Sequence, residues 1–140
     1  MRARTLHSRV SVVLVVVLVL AAYGGGCQPG PSELGRCSGE LPVQVDQSAG
    51  LHFSWEPAGC RVNSLAVVEG QATRWYIVSG ERYQNQIASG VEYGQVPTGA
   101  VGLEHPGDFL WRGNRYTLVL GRIDDAGNGV TAARVDFVKQ

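Results

Sequence analysis

The sequence predicts an all-β fold, a single antiparallel β-sandwich of about seven strands in residues 37–140. Apolar residues in this region alternate with polar ones at a period of two, which is typical of strands with one buried face. The alternating runs are separated by Gly, Asn, Asp and Pro, and the 19 glycines of the chain all follow residue 23. No stretch after residue 37 offers sustained apolar positions at helical spacing.

Two strands begin the predicted sandwich. Residues 41–45 alternate apolar and polar side chains, and Pro42, which has no N–H to donate, places this strand at a sheet edge. Residues 51–56 alternate without interruption, so that Phe53 and Trp55 share one face of the second strand.

Four further strands are predicted along the rest of the chain. Residues 65–69 and 74–79 form two of them, on either side of a Gly-Gln turn. Residues 116–120 and 133–137 form two more, each with bulky apolar or aromatic side chains on one face. Residues 80–109 carry no pattern that assigns strands to them.

The first 26 residues are predicted to be a cleaved signal peptide. Arg2, Arg4 and Arg9 make a basic start, and residues 10–22 follow as an apolar run. A run of about 13 residues suits the apolar core of a signal peptide and falls short of the roughly 20 that span a bilayer. The alternative is an uncleaved signal anchor.

The end of this segment, Gly24-Gly25-Gly26-Cys27, resembles the lipobox of bacterial lipoproteins. The match covers only the signal peptide, and Gly24 stands where the family usually has Leu. The resemblance implies that the thiol of Cys27 takes a diacylglycerol and that the leader is cut just before it. It also implies an exported protein anchored to a bacterial membrane, with Gln28 favouring the outer membrane or cell surface.

The number of cysteines agrees with lipidation. The chain has three, and an odd cysteine in an exported protein needs an explanation, which a lipid on Cys27 supplies. Cys37 and Cys60 then form one disulfide pair in an oxidising compartment. Residues 27–36 are predicted to be the lipidated cysteine and a flexible tether rich in Pro and Gly, which reaches about 30 Å at roughly 3.3 Å per residue.

One segment near the end of the chain makes the fold prediction more specific. The spacing of Leu110, Gly113 and Tyr116, followed by the turn at 124–129, resembles the E–F corner and F–G loop of fibronectin type III domains. The resemblance implies a fibronectin type III-like sandwich of the immunoglobulin-like class. It also implies a tyrosine corner, in which the Tyr116 ring packs inward while its hydroxyl bonds to the preceding chain.

The same resemblance bears on three other positions. Trp55 stands at the family's buried tryptophan of strand B, and Arg122 stands where the family has a small inward residue, so a bulge or altered twist is expected there. A Cys37–Cys60 bond fits the topology of this family, in which the first two strands, A and B, run antiparallel. Residues 41–45 and 51–56 correspond to these strands, so the chain before residue 41 and the chain after residue 56 lie at the same end of the sandwich.

The charge distribution argues against nucleic acid as a partner. All twelve acidic residues follow residue 30, whereas three of the twelve basic residues lie in the leader. The predicted mature chain is therefore mildly acidic, and its single lysine is Lys139. Binding to nucleic acid needs clustered Lys and Arg, which this sequence lacks.

No catalytic or metal-binding motif stands out, so the sequence predicts a non-enzymatic protein without cofactor or metal. His52 and His105 have no cysteine or second histidine at ligand spacing. No nucleophile elbow, zinc-protease motif, phosphate-binding glycine loop or Cys-x-x-Cys occurs. The oxygen-rich segment 124–129 lacks the ligand spacing of an EF-hand loop and is interpreted as a turn.

Three aromatic residues, Trp75, Tyr76 and Trp111, are the candidates for binding. Trp75 and Tyr76 are adjacent and therefore point to opposite faces of their strand. Exposed rings on a β-sandwich stack on sugars or anchor a protein partner. The alternative is structural, with Trp111 covering the corner and the tyrosines packing along sheet edges.

The leading functional hypothesis is a non-enzymatic, membrane-anchored envelope lipoprotein whose sandwich contacts another protein or supports a neighbouring assembly. The alternative is a carbohydrate-binding module at the cell surface that uses Trp111 with Trp75 or Tyr76. A third hypothesis is a small hydrolase with paired carboxylates across a groove. Its candidate carboxylates are Glu56, Glu69, Asp108 and Asp124.

Overall fold

The computed structural model describes residues 37–104 and 109–140, and every regular element in these ranges is a strand. Cys27, the signal peptide and the tether lie outside the described residues. The strands are β1 (Val43–Asp46), β2 (His52–Trp55), β3 (Ser64–Glu69), β4 (Ala72–Ser79), β5 (Val91–Glu92), β6 (Ala100–Glu104), β7 (Arg115–Ile123) and β8 (Gly129–Val138). The described ranges hold no helix that is long and apolar enough to cross a membrane.

The strands form two antiparallel sheets that pack against each other. One sheet has the order β1-β2-β5, and the other has the order β6-β4-β3-β7-β8. The predicted all-β sandwich is confirmed, with eight strands in place of about seven. As Pro42 predicts, β1 is an edge strand, and the N–H of Glu56 beyond β2 donates to the Pro42 carbonyl oxygen.

Aromatic rings from both sheets meet in the core. Phe53 of β2 and Phe137 of β8 are in edge contact, with ring centroids 5.7 Å apart. Phe137 also lies against Tyr116 of β7, at a centroid distance of 5.8 Å. Burying a side chain of this size contributes about 1.5–3 kcal/mol, so these contacts between the sheets are a main source of stability.

The two ends of the sandwich differ in what they carry. Cys37 and Cys60 form the predicted disulfide, with Cα atoms 5.5 Å apart. The start of β3 is at the same end, and because Ser64 pairs with Gly121, so is the turn from β7 to β8. We call this end the disulfide pole. The opposite end, which holds the β3–β4 turn and the chain entering β7, is the corner pole.

Tyr116 occupies the corner pole at the start of β7. Its side chain is only 1% exposed, and its hydroxyl accepts a hydrogen bond of 2.9 Å from the backbone N–H of Trp111. The inward ring and the hydrogen bond that the resemblance implies for Tyr116 are therefore both present. Trp55 is also buried, as expected.

Residues 80–109, to which the sequence assigned no strand, pack on the core through individual side chains. Ile87 is fully buried and bridges to Val62. Ser89 accepts a hydrogen bond from the backbone N–H of Trp55 at 2.8 Å and donates to its carbonyl at 3.0 Å. β5 has two residues, and β6 extends the larger sheet as an edge strand. A strand of two residues, such as β5, is too short to show an alternating pattern.

A register shift marks the end of β7. The pairing of β7 with β8 slips between Leu120 and Gly121, next to the position where Arg122 predicts a bulge. The shift lets Gly121 pair with Thr131 and Arg122 pair with Val130.

Reduction of the disulfide is expected to destabilise the sandwich. The bond joins residues 23 apart in the chain. In the chain-entropy treatment, a loop of that size stabilises the fold by about 3 kcal/mol. For a domain of this size that corresponds to a fall in Tm of roughly 10–20 °C on reduction, measured by thermal unfolding. A Cys37→Ala/Cys60→Ala variant is the control and should melt alike with and without reductant. A wild-type Tm that reductant leaves unchanged would contradict the assignment.

Candidate functional site

Two large aromatic side chains lie side by side on the surface of the corner pole. Phe109 is 74% exposed and Trp111 is 64% exposed. Their ring centroids are 5.2 Å apart and the ring planes meet at 81°. Leu110 between them is buried. Since the side chains alternate, burial of Leu110 in the core presents both neighbours to solvent. We call Phe109, Trp111 and the exposed Arg112 the corner surface.

Backbone hydrogen bonds hold the corner in one conformation. In addition to the hydrogen bond between its N–H and Tyr116, Trp111 accepts a hydrogen bond at its carbonyl oxygen from the N–H of Asn114, at 3.3 Å. Gly113 has a φ of +81°, a left-handed conformation that glycine adopts without steric cost. Its N–H donates to the carbonyl of Lys139, whose own N–H donates to the carbonyl of Asn114. The corner is thereby attached to the end of β8.

A side-chain network attaches the same corner to β3 and β4. The side-chain amide of Asn114 donates to Glu69 Oε1 at 2.8 Å. The other carboxylate oxygen of Glu69 accepts from the Arg74 guanidinium at 2.6 Å. The corner surface is therefore supported by four strands of the larger sheet.

Positive charge accompanies the exposed rings. Arg112 and Arg115 flank the corner and are both exposed. Within residues 37–104 and 109–140, the one ion pair is Arg74–Glu69, so neither of these two arginines takes part in an ion pair there. Tryptophan and arginine are the residue types that contribute most often to binding energy at protein interfaces.

The structure separates the three aromatic residues that the sequence proposed. Trp111 is 64% exposed, so most of its side chain is open to solvent at the corner pole. Trp75 is 1% exposed and packs edge-on against Tyr93 at 5.1 Å. The prediction of Trp75 as a surface binding residue is therefore wrong, because the alternation of β4 turns its side chain inward together with that of Ile77.

Tyr76 takes the opposite face of β4, as adjacency to Trp75 requires. It pairs with Ala66 in the middle of the larger sheet and lines a shallow depression of about 350 Å³ on the outer face. Small residues, including Ser64 and Gly121, form part of its floor. Trp111 is not among its lining residues, so these two candidates do not form one site.

Phe109 is the exposed aromatic residue beside Trp111 that the sequence reasoning missed. It falls in the segment without strand assignment, yet Phe109-Leu110-Trp111 is an alternating triplet directly before the tyrosine corner. With Leu110 identified as an inward position of that corner, the same alternation would have placed Phe109 beside Trp111 on the outside.

The carboxylates considered for hydrolysis are bound to neighbouring groups. Glu69 lies in the network described above, and Glu56 Oε2 accepts from the backbone N–H of Ala58 at 3.0 Å. Asp108 lies outside the described residues. No group of three His, Cys, Asp or Glu side chains able to hold a metal ion occurs in the part of the chain that the structure describes.

Asp124 closes the turn between β7 and β8. One of its carboxylate oxygens accepts from the N–H groups of Asn128 and Ala126, at 2.8 and 2.9 Å. The backbone hydrogen bond from Asn128 is the main cause that holds the pKa of Asp124 below its ordinary value. This carboxylate stabilises a turn, which confirms the interpretation of residues 124–129.

Comparisons with protein families, with curated proteins and with solved structures give no match for this chain.

Proposed function

We propose that this chain is a non-enzymatic, lipid-anchored envelope lipoprotein that contacts a protein partner through its corner surface. The exposed pair formed by Phe109 and Trp111 is the observation that carries the proposal. Large apolar rings exposed side by side on a soluble domain indicate an interaction site. Burying one such ring in a partner contributes about 1.5–3 kcal/mol.

The rigidity of the corner supports a role in binding. The backbone from Trp111 to Asn114 is held by hydrogen bonds to Tyr116 and Lys139 and by the bond between Asn114 and Trp111. A partner then meets a Trp111 ring on a backbone that is already positioned, and less conformational entropy is lost on association.

Two observations support the lipid anchor: the pairing of the cysteines and the location of the corner surface at the end of the sandwich opposite the disulfide. With Cys37 and Cys60 bonded to each other, Cys27 is the one cysteine left for lipid. The tether enters the fold at the disulfide pole, whereas the corner surface lies at the other. An anchor on Cys27 is therefore attached through the tether to the disulfide pole, and Phe109 and Trp111 lie at the end of the sandwich opposite that point of attachment.

We also assign the sandwich to the fibronectin type III-like class of immunoglobulin-like domains. The hydrogen bond between Tyr116 and Trp111 and the buried Trp55 on the second strand support this assignment. The additional edge strand β6 departs from a simple seven-stranded arrangement. The class is one that serves many functions, so the corner surface and not the fold carries the functional proposal.

The second candidate is a glycan-binding module, which the depression beside Tyr76 favours. A tyrosine ring next to an open trough resembles the stacking surfaces that sugars use. The rings of Phe109 and Trp111, however, meet at 81° and form a notch, not a flat platform. A notch suits an inserted side chain of a protein better than an extended glycan.

Removal of the exposed rings is expected to abolish partner capture. Cells producing the wild-type chain are crosslinked, the chain is purified, and attached proteins are identified by mass spectrometry. A Phe109→Ala/Trp111→Ala variant should lose the dominant adduct by at least tenfold, whereas Tyr83→Ala, which removes a ring that is 63% exposed elsewhere, should keep it. An adduct that survives the double substitution at full yield contradicts the proposed surface. Retention of glycan in place of protein supports the second candidate.

The Cys27→Ser variant tests the anchor. A serine accepts no thioether-linked lipid, and the acyl chains that hold a protein stably at a bilayer are then lost. Fractionation of cells should find the wild-type chain with membranes and a large part of the variant elsewhere. Equal distribution of the two chains would contradict lipidation, and a Cys37→Ser/Cys60→Ser variant, still membrane-bound, is the control for loss of thiols.

A further inference from the structure

A cavity of about 160 Å³ opens at the disulfide pole, far from the corner surface. Two arginines that are distant in the sequence line it: Arg61, just after the disulfide, and Arg122, near the end of β7. Cys37, Asn85 and Asp125 contribute further parts of the wall. The volume is well above the roughly 10–15 Å³ that one water molecule needs, so a small polyatomic ion fits.

Arg122 is held unusually deep for an arginine. It follows the register shift of β7 and is only partly exposed. Its Nε atom is buried and has no hydrogen-bond partner among the residues that the structure describes. A buried charged donor without an acceptor costs free energy, and native structures rarely leave one unexplained. An acceptor in the adjoining cavity is the simplest group to satisfy it.

Within the described residues, no carboxylate lies within ion-pair distance of either arginine, although Arg122 is close enough to Asp124 to help lower the pKa of that carboxyl. Neither Arg61 nor Arg122 takes part in an ion pair within the described ranges, although Asp125 lines the same cavity. One guanidinium nitrogen of Arg61 donates to the carbonyl of Gln86, at a long 3.3 Å. Two like charges at one cavity repel each other, and an anion that contacts both offsets that repulsion.

The wall of the cavity is rigid. The side-chain amide of Asn85 donates to the carbonyl of Ile123 and accepts from its N–H, both at 2.8 Å. Its hydrogen-bonding groups are therefore engaged in joining the loop before β5 to the end of β7. This leaves the guanidinium groups as the donors for a ligand and fixes the segment next to Arg122.

We propose that Arg61 and Arg122 form a binding site for a phosphate group at the disulfide pole. The planar guanidinium matches the oxygen spacing of phosphate and binds it through paired N–H donors. The phosphate is carried by a lipid headgroup or is free in solution. The lipid source rests on the proposed function, because a lipid on Cys27 holds this pole near the bilayer surface.

The test is an NMR titration of the purified full chain in neutral detergent, which follows the Nε–H signals of the arginines. Inorganic phosphate is expected to shift the Arg122 signal with saturation, beyond any effect of sodium chloride at equal ionic strength. Arg61→Gln, a substitution of an exposed side chain, should weaken binding at least tenfold. Arg134→Gln, which replaces an exposed arginine of β8 that does not line the cavity, should bind like wild type. Thermal unfolding of each variant verifies that it is folded.

A shift of the Arg122 signal no larger with phosphate than with chloride overturns the proposal, as does wild-type affinity in Arg61→Gln. A parallel titration with a water-soluble, short-chain phosphatidylglycerol separates the two sources. Tighter binding of that lipid identifies a headgroup site, and equal or tighter binding of inorganic phosphate identifies a site for the free ion. The titration depends on neither an anchor nor a protein partner, so its failure and the failure of the proposed function are distinguishable.

Discussion

The hydroxyl of Tyr116 joins the core of the sandwich to its surface. The ring lies against Phe137, which in turn contacts Phe53 of the facing sheet, so Tyr116 is part of the packing that holds the two sheets together. Its hydroxyl accepts a hydrogen bond from the backbone N–H of Trp111 and thereby fixes the path of the chain before β7. A hydrogen bond of this kind contributes about 1 kcal/mol. Its structural effect is larger, because the position of every exposed group in the corner depends on it.

The position of this corner gives the sandwich two functionally different ends. The disulfide closes one pole, where the chain enters the fold, and the corner surface occupies the other. In the proposed function, the lipid anchor is attached at the first pole and the partner is contacted at the second. The cavity lined by Arg61 and Arg122 lies at the disulfide pole, so the proposed phosphate site and the corner surface do not compete for the same surface.

The sequence predicted the parts of the fold that repeat a pattern or carry a rare residue. Alternation identified β2, β7 and β8, and the cysteine count identified the disulfide. The leucine, glycine and tyrosine spacing identified the corner. The pattern at 75–76 placed two rings on opposite faces without deciding which face is inside, because that depends on which side of the larger sheet packs against the smaller one. Trp75 is therefore buried and Tyr76 lies on the outer face.

The parts that sequence did not predict depend on contacts between distant segments. β5 is positioned by pairing with β2 and by the two hydrogen bonds of Ser89, and neither leaves a local pattern. Phe109 was missed because it lies in residues 80–109, to which the sequence assigned no strand. The cavity at the disulfide pole joins Arg61 to Arg122, which only the paired strands bring together.

Hydrogen exchange at the Trp111 amide tests most directly whether Tyr116 holds the corner. In the wild-type chain this amide donates to the tyrosine hydroxyl and should exchange slowly. The Tyr116→Phe variant keeps the ring and removes the acceptor. Exchange at Trp111 should then become about fivefold faster, as loss of roughly 1 kcal/mol predicts, while the Leu118 amide in β7 changes less. Equal exchange at Trp111 in both chains would contradict the claim that Tyr116 fixes the corner surface.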